Sequence, residues 1–292
     1  MKSKLILPRR HRGVEITARD VEIIRLVWQF GVVTRPILQR ALGWPCVSDV
    51  NRRIHILLDA QLLDKRATSP LPGGMAIYYL GVAGVGLLAE RDNIDLKSLN
   101  QRRFRYRNVS DGFLRHELLT AAFGASLRGA FLNNHAAGIL DWRHADDLIG
   151  LCNLNNIVGD VLLKPDAFCS YHIDKVRFNF FLEADCGTES LRRIDRKIEL
   201  YRNFKNSGLY ELNFKLASFR LLFVTSTVGR ALSLARHMSE VPEFKVFVAS
   251  QPNLQSGILA TPVWYRSEHE TPVALHETST AAKGESSDAL LR

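Results

Sequence analysis

The chain lacks the marks of several large protein classes. It holds only four cysteines, Cys46, Cys152, Cys169 and Cys186, and no two of them form a CxxC pair. This spacing argues against a zinc ribbon or a disulfide framework and fits reduced thiols in a cytoplasm. No apolar run approaches the ~18 residues of a membrane span. The apolar stretch after Met1-Lys2-Ser3-Lys4 is too short for a signal peptide. A soluble cytoplasmic protein with no membrane partner is expected. The nine histidines show no HExxH spacing. A Walker-type loop and a serine-hydrolase elbow are both missing. Gly81, Gly84 and Gly86 follow an extended segment but are wrongly spaced to cradle a phosphate.

What is present is positive charge in one place. The formal net charge is +9. Residues 1–112 hold 19 Lys/Arg against 10 Asp/Glu, a net of +9, whereas residues 113–292 hold 20 of each. A localised basic surface is what phosphate binding requires, because each neutralised phosphate releases a counterion. The length of 292 residues suggests about two domains.

The N-terminal pattern is helical. Residues 1–14 form a basic arm with Lys2, Lys4, Arg9, Arg10 and Arg12. Thr17 followed by Asp20 has the form of a capping box. It opens a helix that Gly31 ends. A second helix covers about 34–42, with Pro36 in its first turn. A third covers about 48–61, with Val50, Ile54, Leu57 and Leu58 on one side and Ser48, Arg52 and His55 on the other. Asn51 flanks that polar side. Residues 62–66 and 75–80 read as a hairpin around Pro72-Gly73-Gly74. Three helices and a hairpin predict a winged helix-turn-helix over 15–90, closed by a helix at about 82–90. In such a domain Ser48, Asn51, Arg52 and His55 would face double-stranded DNA, and Lys65 and Arg66 would reach phosphates from the wing. Arg53 is expected near the backbone. Residues 91–112, with Arg102, Arg103, Arg105 and Arg107, read as a basic linker.

Residues 113–265 alternate between helix and strand patterns and predict an α/β domain with a mixed sheet. The order is a helix over 113–130, strands over 138–143, 161–170 and 176–185, a helix over 190–203, then strand, helix and strand up to 249. Glu183 and Asp185 stand two apart on the third strand, so they share a face. Asp166 follows Lys164-Pro165, and Glu117 lies on the first helix. Glu117, Asp166, Glu183 and Asp185 are candidate ligands for Mg²⁺, which prefers carboxylates and waters. Asp166, Glu183 and Lys197 are the candidate catalytic residues of a metal-assisted phosphodiester cleavage. The tail, 266–292, is rich in Ser, Thr, Ala and Glu and reads as disordered.

Pro165-Asp166 followed by Glu183-Ala184-Asp185 at a strand end resembles the PD-(D/E)XK nuclease, or restriction-endonuclease-like, fold. Position 185 carries Asp where that pattern has Lys, and Lys197 on the next helix is the substitute the resemblance offers. The two halves together are similar to the replication-relaxation family. Beside the N-terminal winged helix, the residues that carry this likeness are Tyr78-Tyr79-Leu80 with Gly84 or Gly86 and Leu87-Leu88 after it, His116-Glu117-Leu118, Lys164-Pro165-Asp166, and Phe181-Leu182-Glu183-Ala184-Asp185-Cys186-Gly187-Thr188-Glu189-Ser190 with Lys197 and Tyr201 following.

The resemblance implies a protein of plasmids and other mobile elements, associated with their replication and with relaxation of supercoiled DNA. The leading expectation is a DNA-binding protein acting in replication, relaxation, mobilisation or control of such an element, beside other proteins of that element. Two alternatives stay open: an active Mg²⁺-dependent endonuclease, and a transcriptional regulator whose C-terminal domain binds a ligand or partner. Oligomeric state is also open, with a homodimer among the options.

Overall fold

The computed structural model describes residues 15–66, 74–132, 134, 137–153, 162–238, 241–254, 258–259, 261–266 and 269–275. The basic arm lies outside these residues, as does most of the loop between the two hairpin segments. Helices α1 (Ala18–Phe30), α2 (Arg35–Leu42) and α3 (Val47–Asp59) come first. The Thr17–Asp20 capping box forms with both of its bonds, and Gly31 ends α1 at φ +78°. A Cβ at Gly31 would meet the Tyr106 hydroxyl at 2.1 Å, so this position needs glycine for space as well as for its backbone. Strands β1 (Leu63–Lys65) and β2 (Tyr78–Leu80) pair antiparallel, with Leu63 opposite Leu80. Val33 bridges to Tyr78 and ties this pair to the end of α1. Helix α4 (Val82–Asp92) follows.

The segment expected as a linker is instead a helix, α5 (Leu96–Asn108), capped by the Asp95 carboxylate accepting from the Ser98 amide. It buries Leu99, Arg102 and Tyr106. Arg102 donates to Asp146, Asp147 and the Trp28 carbonyl, and it lies over the Trp28 ring. A polar segment thus folds because its buried arginine is paired across the chain, a feature that hydrophobic periodicity does not register.

Helix α6 (Asp111–Phe131) runs along one face of a mixed seven-stranded sheet. The remaining elements are β3 (Ala137–His144), α7 (Ala145–Leu148), β4 (Ala167–Ile173), β5 (Val176–Asp185), α8 (Leu191–Asn206), α9 (Leu209–Phe214), β6 (Arg220–Thr225), α10 (Val228–His237), β7 (Val246–Ser250), α11 (Gln251–Leu254), β8 (Trp264–Arg266) and β9 (His269–Val273). Strand order follows chain order from β3 to β9. Pairing is antiparallel through β3, β4 and β5, parallel through β5, β6 and β7, and antiparallel again at β8 and β9. The mixed α/β class is as expected. Strand β4 starts later than expected, because Pro165 and Asp166 sit just outside it and the turn at Asp174 (φ +51°) carries the strand on to Ile173. The tail expected from 266 also starts too early: β9 forms, and Ala274 and Leu275 are buried. Residues 276–292 lie outside the described ones.

Strand alternation divides the core. Phe180, Leu182 and Ala184 of β5 belong to a cluster that runs without a break from Val21 to Leu275. Phe181 faces the opposite side, in a second cluster with Ile194, Ile198, Tyr201 and Phe204 of α8. The first cluster joins the N-terminal helices to the sheet through α6. Gly124 of α6 makes the close approach possible, since a Cβ there would meet Phe30 at 2.6 Å and Trp142 at 2.8 Å.

Candidate nucleic-acid interface and acidic cluster

Helix α3 has two unlike sides. Val50, Ile54 and Leu57 are buried. Ser48, Arg52 and His55 are exposed on the opposite side, at spacings of four and three. Arg52 leaves 77% of its side chain in solvent and, among the described residues, meets only Asp49, at 3.6 Å. Ser48 shares a hydrogen bond with the Cys46 thiol at 2.7 Å. Asn51 is partly committed, since its carbonyl accepts from Arg35 of α2 at 2.9 Å. The adjacent Arg53 turns inward and pairs with the fully buried carboxylate of Asp20, with further bonds to the Thr17 hydroxyl and the Glu15 carbonyl. It braces α3 against the start of α1.

The expected wing cations part company. Lys65 is exposed on β1. Arg66 is only 13% exposed and donates to Asp111 at 3.3 Å and to the Tyr106 carbonyl, so its charge is spent inside the molecule. The same holds along α5: Arg103 pairs with Asp64 at 2.7 Å, and Arg105 with Asp146 at 2.7 Å. Of the α5 cations, Arg102 and Arg105 are the two that meet acids of the second half of the sequence, and α3 keeps Arg52 outward.

The acids gather at the end of β5, each with a partner. The Asp166 carboxylate accepts from the Ala184 amide at 2.7 Å and pairs with His116 of α6 at 3.0 Å. Glu183 accepts from Lys197 at 2.7 Å and from the Tyr201 hydroxyl at 2.6 Å, both on α8. Lys197 also reaches Glu189 at 3.1 Å. Asp185, on the same side of the strand as Glu183, accepts from Arg230 of α10 at 2.6 Å and from the Gly187 amide at 2.7 Å. Glu117 makes its bonds elsewhere, to the Tyr106 hydroxyl at 2.7 Å and His144 at 2.8 Å. One residue along a helix is a turn of about 100°, so His116 and Glu117 face different neighbours. His116, Glu189 and Arg230 were not singled out by spacing. His116 and Glu189 do stand within the stretches that carry the family likeness, whereas Arg230 does not.

Electrostatics follow from burial and these pairs. Burial opposes the His116 cation, but the Asp166 carboxylate outweighs it and lifts the imidazole to about 9. Asp166 is itself held below the usual range: burial opposes ionisation, and His116 overcomes it. Burial and the nearby Asp166 charge push Glu183 up to about 7, against the pull of Lys197 and Tyr201.

A family model described as replication-relaxation matches residues 24–216, about two thirds of the chain. The chain belongs to the replication-relaxation family. Membership suggests a replication- or relaxation-related function of a mobile element. No curated protein and no solved structure shows a significant match. The family region contains the outer side of α3, the whole of α5 and α6, and the Asp166, Glu183 and Lys197 cluster. It stops before Arg230, the partner of Asp185. Among the described residues, no helix is long and apolar enough to cross a membrane.

Both oxygens of Glu183 and both of Asp185 accept hydrogen bonds from the protein, so a cation at these acids would compete with Lys197 and Arg230. Among the described residues, no three His, Cys, Asp or Glu side chains converge as ligands. Asp166 pairs with His116 while Lys197 joins Glu183 and Glu189, and the two sets lie near enough to act on each other electrostatically.

Proposed function

We propose that this replication-relaxation protein binds double-stranded DNA of its mobile element through a winged helix made of α1, α2, α3, β1 and β2. The outer side of α3 enters the major groove in this reading. Ser48, Arg52 and His55 contact base edges and phosphates, and Lys65 contacts a neighbouring phosphate. The observation that carries it is the contrast between Arg52 and Arg53. Arg53 is held on the buried Asp20 carboxylate, while Arg52 stands in solvent among polar residues at helical spacing. A helix of that kind is what groove recognition uses. The arrangement of acids at the end of β5 supports a structural role for the cluster, since a metal-dependent nuclease would first have to release Glu183 from Lys197 and Tyr201. The sheet domain then serves as the platform on which the DNA-binding helices are mounted through α6.

The test is a fluorescence-anisotropy titration of labelled duplex from the element's replication region. Arg52→Ala is expected to weaken binding roughly tenfold, in line with about 1–3 kcal/mol for a lost base contact. Unchanged affinity would refute the assignment of α3.

A further inference from the structure

A cavity of about 680 Å³ lies between α2, α6 and the carboxyl ends of the parallel strands. Cys186 follows β5, Ser226 follows β6 and Gln251 follows β7, and all three line it. In open α/β sheets this end of the strands is where ligands bind. The volume falls within the roughly 300–1,000 Å³ typical of small-molecule sites.

Its walls have two kinds of chemistry. Ile37 of α2 and Leu118, Leu119 and Ala122 of α6 supply an apolar lining. The charged residues lining it are Arg40 and Arg115, and no carboxylate does so among the described residues. Arg40 donates to the Ser126 hydroxyl at 3.2 Å, inside the cavity, and makes no ion pair among the described residues. A largely apolar cavity whose charged lining residues, among the described ones, are Arg40 and Arg115, with Asp185 and Asp166 near its Cys186 edge, is complementary at Arg40 to a molecule with an apolar body and one anionic head. A carboxylate meeting a guanidinium gains a charge-assisted, planar hydrogen-bond pair.

We infer that this cavity binds a small amphipathic anion, a monocarboxylate with an apolar chain or ring, with its head on Arg40 and its body between α2 and α6. The site is separate from the outer side of α3, and the inference stands independently of DNA binding.

Isothermal titration of the full chain with decanoate, below the concentration at which it forms micelles, tests this. One saturable site is expected for decanoate. Acetate, lacking the body, and decyltrimethylammonium, carrying the opposite charge, are each expected to bind at least tenfold more weakly. Arg40→Gln keeps a donor for Ser126 but loses the charge, and it is expected to weaken decanoate at least tenfold. Ala122→Phe, which fills the chamber, is expected to do the same. Thermal melts establish that each variant is folded, and Arg40→Gln alone decides the matter if Ala122→Phe is not. Decanoate binding equal to that of either control ligand, unaltered by Arg40→Gln, or absent altogether would overturn the inference.

Discussion

Arg52 and Arg53 are neighbours with opposite work, and the difference is geometric. A step of one residue on a helix moves a side chain by about 100°, from solvent to the base of α1. Removing Arg53 would leave the buried Asp20 carboxylate without its cation. Arg53→Ala is therefore expected to lower unfolding free energy by about 3 kcal/mol, as other broken buried pairs do. Chemical denaturation measures this, and a loss no larger than that of an exposed residue would contradict the role given to Arg53. The acidic cluster has its own signature in pH. His116 has a folded pKa near 9, above its ordinary 6.5. The stability this pair adds is fully present below about pH 6.5 and is lost as pH rises through 9. Glu183, lifted to about 7 from 4.5, makes its own change at lower pH. Denaturation across pH 6.5 to 9 is expected to show falling stability, and His116→Gln is expected to flatten that limb. A variant with the same slope as the parent would disconnect His116 from it.

At the scale of elements, what the sequence reveals depends on whether the stabilising contact is local. The Thr17–Asp20 box, the Gly31 stop and the limits of β5 are local or periodic, and they read directly from the chain. Helix α5 does not, because the middle of its buried side is Arg102, whose partners Asp146 and Asp147 lie more than 40 residues away. The acids of the cluster were legible as types at one strand end. Their partners were not, since Arg230 and His116 reach them only through the tertiary fold. Arg102→Ala is expected to open α5 specifically. Hydrogen exchange should then quicken across 96–108, with protection in the central strands changed far less. Uniform quickening over the whole chain, or none, would contradict the anchoring role of Arg102.

At the scale of the whole molecule, the charge asymmetry of the sequence needs a second reading. The excess of +9 lies in residues 1–112, but Arg102 and Arg105 are held by Asp146 and Asp147 of the second half. Part of that excess therefore joins the N-terminal helices to the sheet, alongside the shared apolar core. Arg52 on α3 and Lys65 on β1 are among the cations that remain exposed. The most direct measurement is the affinity of the full chain for its element's duplex DNA at a series of salt concentrations, for the parent and Arg52→Ala. The expected result is affinity falling steeply with salt, a roughly tenfold weaker variant, and a variant slope shallower by about one if Arg52 contacts a phosphate. Salt-insensitive binding, no binding to that DNA, or identical curves for parent and variant would contradict the account.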